Sequence, residues 1–188
     1  FTVQPDPLGN VFGNPIVIGS LPYSATGNTF AFNCWTNDYS GATNQVSPDV
    51  FYRFTTTACQ SLVSIGLCGS AFDTYLHLLD ANGVEIAIND DNGPLCSGSQ
   101  SSIQMILPAG TYFIVVEGFN TNFGTYALSV SATDGTPPTL SNCPNNQNVL
   151  RNASCIATLI NYGFAVTTSD NCPGTITLTQ TPAPGTVI

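Results

Sequence analysis

Apolar and polar residues alternate along most of the chain between residues 72 and 130, with turn-forming residues between the alternating stretches. Alternation with a period of two predicts β-strands that bury one face. No helix is predicted between the strands, so the pattern favours an antiparallel meander folded into a small β-sandwich. The predicted strands cover residues 72–79, 84–88, 102–107, 111–117 and 124–130.

The segments between these strands are typical turns and loops. Residues 80–83 read Asp-Ala-Asn-Gly, and Asn and Gly readily take the positive φ of tight turns. Residues 108–110 read Pro-Ala-Gly and form a second turn. The connection at 89–93 reads Asn-Asp-Asp-Asn-Gly, so an acidic loop follows the second predicted strand.

Five short motifs in this order resemble the bacterial pre-peptidase C-terminal (PPC) domain. The resemblance spans residues 12–132 and implies a jelly-roll-like, non-catalytic module of secreted proteins. The motifs are Pro-Asp-Val-Phe-Tyr-Arg-Phe at 48–54, Phe-Asp-Thr-Tyr-Leu at 72–76, Asn-Asp-Asp at 89–91, Ala-Gly-Thr-Tyr at 109–112 and Gly-Thr-Tyr at 124–126.

A change in composition near residue 133 predicts a domain boundary. Residues 131–138 contain a glycine and end in two prolines, which favour an extended and stiff path. We therefore predict one domain at 1–133 and a second at 134–188. In the second domain, strands are predicted at 157–162 and 175–180.

The second domain resembles the hyalin repeat (HYR), an immunoglobulin-like extracellular module implicated in adhesion. The resemblance implies an incomplete module, because family members continue with further strands and a fourth cysteine. We therefore expect an all-β chain of two tandem β-sandwiches, the second partial, and a fragment of a longer polypeptide. The matching residues are 134–139, 143–144, 155, 169–172 and 181–188.

Composition favours an extracellular protein and excludes some partners. Only 7% of residues are charged, far below the roughly 25% of ordinary globular domains, and 43% are hydrophobic. There is no lysine, and the formal net charge is −9, so nucleic acid and anionic lipid are not expected partners. No apolar run approaches the ~18 residues of a membrane span.

Seven cysteines indicate an oxidising compartment, and no C-x-x-C pair suggests zinc or dithiol chemistry. The first domain holds Cys34, Cys59, Cys68 and Cys96, for which three connectivities exist. Cys96 follows the acidic loop that we expect beside the strand after Cys68. We predict Cys68–Cys96 and Cys34–Cys59.

In the second domain we predict a Cys155–Cys172 disulfide from the immunoglobulin-like fold that the resemblance implies. In that fold the first and last strands are neighbours, which leaves Cys143 for a partner on a strand outside this chain. A free reactive thiol is the alternative.

Residues suited to catalysis are scarce. His77 is the only histidine, and it alternates with leucines, so we predict a surface position beside Tyr75. Neither G-x-S-x-G nor H-E-x-x-H occurs. A carboxylate pair of the glycosidase type would need a larger cleft than a small sandwich offers. We predict no enzymatic activity.

Calcium is the candidate cofactor. Asp73 and the loop residues Asn89, Asp90 and Asp91 lie in two regions that adjacent strands bring together, and calcium prefers such oxygen ligands. The alternative is that these side chains only cap turns. Trp35, set among polar residues, is a candidate for an exposed ligand surface, although most aromatic residues of a sandwich belong to its core.

These features predict a non-catalytic module of a large secreted or surface protein, extracellular or at the cell surface. It would act in adhesion or as a structural subunit of a filament. The expected partners are neighbouring domains or subunits of the same protein, with cell-surface glycans or proteins as further candidates. The alternative function is that of an accessory binding domain of a secreted peptidase or other hydrolase.

Overall fold

The structure is a computed structural model and describes residues 6–188 except 31–34, 40 and 42. The chain divides into two compact units, Phe1–Gly135 and Thr136–Ile188, and we call them unit 1 and unit 2. The division lies close to the boundary predicted after residue 133. Apart from two single-turn 3-10 helices, the regular elements described are all strands, which confirms the all-β class.

Unit 1 is a sandwich of two sheets. Its five-stranded sheet has the order β1-β3-β8-β5-β6, and its four-stranded sheet has the order β2-β9-β4-β7. All neighbouring pairs are antiparallel except the short pair β1 and β3. The strands are β1 (Ile16–Val17), β2 (Tyr23–Asn28), β3 (Val50–Thr56), β4 (Leu62–Gly66), β5 (Thr74–Leu79), β6 (Glu85–Asn89), β7 (Ser102–Ile106), β8 (Gly110–Gly118) and β9 (Thr125–Thr133).

The main core lies between the two sheets and follows the alternation of the sequence. Val50, Tyr52 and Phe54 of β3 contribute alternate side chains to it, because successive side chains of a strand point to opposite faces. The hydroxyls of Tyr52 and Tyr126 lie 2.7 Å apart within this core, so neither polar atom is buried without a partner.

The outer face of the five-stranded sheet is also buried. A second apolar cluster of Phe51, Leu79, Phe113 and Val115 lies there, and loop residues cover it. The Phe12 ring lies 4.3 Å from the ring of Phe113. Burial on both faces explains why every residue of β5 is buried, although alternation alone predicts one exposed face.

The predicted strands of unit 1 correspond to β5 to β9, with ends shifted by a few residues. The predictions for unit 2 are different. Unit 2 has β10 (Thr139–Ser141) paired with β11 (Thr167–Ser169), and neither was predicted. The predicted strands at 157–162 and 175–180 are wrong, since Thr158 makes only an isolated bridge with Val187. A strand-forming sequence becomes a strand only when a neighbour pairs with it.

Unit 2 buries very little. Ala157 is its single buried residue, and several large apolar side chains are open to solvent. Leu150 is 90% exposed and Phe164 is 80% exposed. An immunoglobulin-type sandwich for this unit stays a prediction, because its described strands form one two-stranded sheet.

One predicted disulfide is confirmed and one is wrong. Cys68 and Cys96 are bonded, with Cα atoms 5.2 Å apart. Cys155 is a free, exposed thiol, so it is not the partner of Cys172, which is disulfide-bonded. The reason is local, because Cys155 has φ +60° in a turn closed by Asn152 and not in a strand.

The other cysteine predictions concern Cys34 and Cys143. Cys34 lies outside them, so the pairing with Cys59, which is disulfide-bonded, stays a prediction. Cys143 is a free and exposed thiol.

Candidate functional site

The three predicted carboxylates meet at one edge of the five-stranded sheet. Asp73 precedes β5, while Asp90 and Asp91 follow β6. The two strands are antiparallel, with Leu76 opposite Asn89, so the end of β6 lies beside the start of β5. One carboxylate oxygen of each aspartate lies within 4.8 Å of the others.

The environment of these aspartates disfavours three unbalanced negative charges. Asp73 Oδ1 and Asp90 Oδ1 are buried, and neither has a hydrogen-bond partner. Burial raises the pKa of Asp73, and the charge of Asp91 raises it further. Burial likewise raises the pKa of Asp90, with added contributions from Asp91 and Asp73. A proton or a cation would relieve both the repulsion and the unpaired oxygens.

Asn89 holds the loop in place. Its Oδ1 accepts a hydrogen bond from the Ser102 backbone at 2.8 Å, and its Nδ2 donates to the Asp91 carbonyl at 3.2 Å. The amide therefore joins β7 to the backbone of the acidic loop. Asn89 is beside the carboxylates, as predicted, but the described contacts give it a positioning role.

The rest of the acidic loop is fixed by its own backbone. Asn92 and Gly98 exchange two hydrogen bonds, of 3.0 Å from Asn92 N to the Gly98 carbonyl and 3.1 Å from Gly98 N to Asn92 Oδ1. A Cβ at Gly93 would lie 2.4 Å from the Ser102 carbonyl oxygen, so a larger residue cannot fit without a shift. Ser102 Oγ accepts a bond of 3.1 Å from the backbone of Cys96, which the disulfide ties to Cys68.

The backbone of Asp73 is equally well held. Its carbonyl accepts from the Phe119 backbone at 3.0 Å, beyond the end of β8. The next residue, Thr74, donates its backbone N–H to the Ser99 carbonyl at 3.0 Å, and its hydroxyl lies 2.8 Å from that of Ser101. The carboxylates are therefore carried on a rigid frame, which suits a binding site for a small ion.

A second polar group lies on the outer face of the same sheet and centres on His77. The prediction of a surface histidine is wrong, because His77 is 1% exposed. Its side chain does point away from the main core, but the outer face is covered by Tyr39, whose ring centroid lies 4.8 Å from that of the imidazole. His77 Nδ1 lies 2.7 Å from Glu85 Oε2, and Nε2 lies 2.9 Å from Glu117 Oε2.

Asp49 and Tyr39 complete this group, which we call the buried acidic cluster (Tyr39, Asp49, His77, Glu85 and Glu117). Asp49 Oδ2 accepts hydrogen bonds from the backbone of Asp38 at 2.7 Å and of Tyr39 at 2.6 Å. The Tyr39 hydroxyl donates to Glu85 Oε2 at 3.0 Å. Asp49 Oδ1 and Glu117 Oε1 are buried without a hydrogen-bond partner.

Burial dominates the electrostatics of this cluster. It raises the pKa of Asp49 to about 8, and the nearby charge of Glu117 adds to the increase, while the backbone hydrogen bonds from Tyr39 and Asp38 oppose it. Burial also raises the pKa of Glu117, whereas the hydrogen bond and the charge of His77 lower it. Sequence reasoning missed this cluster, although one signal was present. Glu117 directly follows the five apolar residues 112–116, and an acid in such a stretch needs a partner.

The buried acidic cluster is arranged to hold the fold together. Both nitrogens of the imidazole are occupied by carboxylates, and its 1% exposure leaves no path for a substrate. No serine or cysteine is within the described hydrogen bonds of His77, so no nucleophile is activated there.

Trp35, the candidate for a ligand surface, has a partly buried side chain. It is only partly exposed and packs against the main core between the two sheets. Its ring is therefore used in part for packing, and a ligand-binding role for Trp35 stays a prediction.

No protein-family model matches the chain, and no curated protein sequence matches it. Among solved structures, the chain is similar to the pre-peptidase C-terminal domain of a collagenase from Bacillus anthracis. That match has 17% identity and a TM-score of 0.45, covering 69% of this chain and 100% of the other. A periplasmic inhibitor of g-type lysozyme from Aeromonas hydrophila matches with 16% identity and a TM-score of 0.38, covering 63% and 96% of the two chains. Neither likeness assigns a function.

The described residues contain no helix with the length and apolar character needed to cross a lipid bilayer. The Cys68–Cys96 bond is typical of proteins that reside outside the reducing cytoplasm.

Proposed function

We propose that the chain is a non-catalytic extracellular module of a larger secreted or surface protein, and that it acts in adhesion or as a structural subunit of a filament. The observation that carries the proposal is the open apolar surface of unit 2. Phe164 and Leu150 are almost fully exposed, and a two-stranded sheet is marginally stable alone. A neighbouring domain or subunit would cover these residues.

The way in which a neighbour would cover unit 2 follows from its backbone. Residues 157–162 and 175–180 have strand-forming sequences. The backbone N–H groups of Ala157 and Leu159 donate to the carbonyls of Ile188 and Thr186, and the described bonds pair no other part of either segment as a strand. Unpaired backbone of this kind accepts an added strand from another chain. Such a contact joins different surfaces of the two partners and therefore propagates along a filament.

The charge distribution also favours contacts made through unit 2. Arg151 and Asp170 are its only charged residues, whereas the other ten acids of the chain lie in unit 1. Two copies of unit 1 repel each other in the absence of a cation, while two copies of unit 2 do not. A second copy of this chain is therefore a suitable partner for unit 2.

We further propose that Asp73, Asp90 and Asp91 bind one calcium ion that stabilises the acidic loop. The support is threefold: the oxygens lie within 4.8 Å of one another, two buried oxygens lack partners, and the pKa values of Asp73 and Asp90 are raised. Calcium takes six to eight oxygen ligands, so backbone carbonyls and water would complete its shell.

Sedimentation of the chain over a range of concentrations, in millimolar calcium, tests the proposal. We expect self-association that Phe164→Ser weakens at least tenfold. Phe123→Ser is the matched control, because Phe123 is 51% exposed but lies in unit 1. A wild-type monomer at every concentration would remove the support for a subunit that assembles through unit 2.

That outcome would favour an accessory binding domain of a secreted peptidase or other hydrolase. One observation supports this alternative. Unit 1 is a two-layer sandwich with its own core, and its five-stranded sheet is covered on both faces. A unit of this kind needs no partner subunit to fold.

A further inference from the structure

Tyr39 and Gly41 lie over the outer face of the five-stranded sheet, and we call the described residues 36–39, 41 and 43–49 the strap. The Tyr39 ring lies 6.2 Å from the Phe51 ring, and Tyr39 packs against the outer apolar cluster. The Gln45 side chain accepts a hydrogen bond from the Asn120 backbone at 2.6 Å. The strap is therefore held by contacts of Tyr39 and Gln45, and the Tyr39 ring shields apolar residues of the outer face from water.

The central attachment of the strap depends on one carboxyl group. Asp49 Oδ2 receives two short hydrogen bonds from the strap backbone, at Asp38 and Tyr39. The Asp49 backbone N–H also donates to the Thr36 carbonyl at 3.0 Å. These bonds fold residues 36–39 back onto the start of β3.

The cluster beneath the strap holds more acids than bases. Its elements present Asp38, Tyr39 and Asp49 from the strap, Tyr75 and His77 from β5, Glu85 from β6 and Glu117 from β8. His77 is the only basic group among them. The chain has no lysine, and Arg53 is exposed to solvent.

Asp49 and Glu117 are therefore short of partners. Both residues are 0% exposed, and each has one oxygen without a hydrogen bond. Since His77 already bridges Glu85 and Glu117, it has no nitrogen left for Asp49. A second uncompensated negative charge at this depth is costly unless a proton neutralises it.

We propose that the strap is a pH-sensitive latch, closed over the outer face while Asp49 is protonated and loosened as Asp49 loses its proton. Opening uncovers the outer apolar cluster, whose members Phe51, Leu79 and Val115 are otherwise buried. The latch thus gives the outer face a closed state in acid and a more open state at higher pH.

The direction of the pH dependence follows from the burial of Asp49 beside Glu117 with no base left to pair with it. The two backbone hydrogen bonds favour the ionised carboxylate, but burial outweighs them and raises the pKa of Asp49 to about 8 in the closed state. When the strap is open and Asp49 is hydrated, its pKa is the ordinary 3.8. The closed state therefore binds more protons, and its advantage is complete below the ordinary pKa. As the pH rises, the equilibrium constant for opening increases by up to about tenfold per pH unit. This increase levels off above about pH 8.

Hydrogen exchange of the strap amides, measured from pH 5 to pH 9 in millimolar calcium, tests the latch. We expect the protection factors of residues 36–39 to fall with pH and then to level off. Trp35, the only tryptophan, immediately precedes the strap in the chain, so its fluorescence is a second readout of the same change. In Asp49→Asn both signals should become independent of pH, because the amide keeps an accepting oxygen but does not titrate.

Two further variants make the result decisive. Asp80→Asn is the matched control, since Asp80 is an aspartate in an exposed turn whose pKa is lowered, and its replacement should leave the wild-type profile unchanged. Glu117→Gln removes the charge that helps raise the pKa of Asp49, so the levelling-off should move to lower pH. The latch is refuted if Asp49→Asn shows the same pH dependence of protection as the wild-type chain. If Asp49→Asn does not fold, the latch is refuted when Glu117→Gln leaves that pH dependence unchanged.

Discussion

The imidazole of His77 connects Glu85 to Glu117 across three neighbouring strands. Its Nδ1 lies 2.7 Å from Glu85 Oε2 on β6, and its Nε2 lies 2.9 Å from Glu117 Oε2 on β8, while His77 itself is on β5. These contacts run across the sheet and not along a strand. One buried side chain therefore ties the edge strand β6 to the centre of the five-stranded sheet.

Removal of His77 should destabilise unit 1 strongly. His77→Ala leaves Glu117, which is 0% exposed, without its hydrogen-bonded partner, and breaking a buried pair in this way costs about 3–5 kcal/mol. The free energy of unfolding, measured by chemical denaturation, checks this. The double variant His77→Ala with Glu117→Gln should recover part of the loss. If the double variant is as unstable as the sum of its single changes, the two residues are not coupled.

Calcium should raise the unfolding temperature, because a ligand that binds only the folded state stabilises it by mass action. Asp90→Asn should reduce this increase by removing one ligand, and Asp80→Asn is the control outside the site. Differential scanning calorimetry in calcium and in chelator is the measurement. Coincident curves for the wild-type chain in the two conditions would contradict a calcium site.

Without calcium, the same aspartates should make the chain more stable in mild acid. The pKa values of Asp73 and Asp90 are raised in the folded state, so the folded chain binds more protons than the unfolded chain. Stability attributable to these groups is complete below their ordinary pKa and is lost as the pH rises through the raised values. Unfolding temperatures in chelator at a series of pH values check this. Calcium should flatten the dependence, and an identical slope with and without it would speak against the cation replacing the protons.

Loss of the Cys68–Cys96 bond should weaken both the fold and the acidic loop. The bond joins residues 28 apart, and a loop of this size corresponds to about 3 kcal/mol of stabilisation through restriction of the unfolded chain. The Cys68→Ser, Cys96→Ser double variant should unfold at lower denaturant and bind calcium more weakly. Equilibrium unfolding and calcium titration separate the two effects. Unchanged calcium affinity would show that the disulfide does not position the loop.

Gly93 gives an independent test of how the acidic loop is held. Gly93→Ala would place a Cβ 2.4 Å from the Ser102 carbonyl, so the loop must shift away from β7. We expect weaker calcium binding and a lower unfolding temperature. Gly13→Ala is the control, since no atom lies within 4 Å of the added Cβ. Equal effects of the two substitutions would contradict the close packing at Gly93.

The sequence predicts unit 1 well because its strands are held by local patterns. The alternation, the turn at 80–83 and the antiparallel order together place Asp73 beside Asp90, which the structure bears out. His77 was misplaced for a different reason. Alternation tells which face of a strand a residue occupies, but it does not tell whether a distant loop such as the strap covers that face.

The strands of unit 2 were predicted poorly because they depend on pairing with a neighbour and not on local patterns. The segments 157–162 and 175–180 have strand-like composition, but pairing requires a neighbour. The described chain supplies only a short pairing of residues 157–159 with residues 186–188, around the bridge of Thr158 with Val187. The turn at Asn152 places Cys155 at positive φ, which the disulfide prediction did not foresee. Local sequence therefore predicts where a strand can form more reliably than where one does form.

The central claim is that another copy of the chain covers the open surface of unit 2. Hydrogen exchange of the amides in residues 157–162 and 175–180, measured at low and at high protein concentration, tests it most directly. Our account predicts that protection of both segments rises with concentration in the wild-type chain and does not rise in Phe164→Ser. Protection that is the same at every concentration, in a chain that sediments as a monomer, would contradict it.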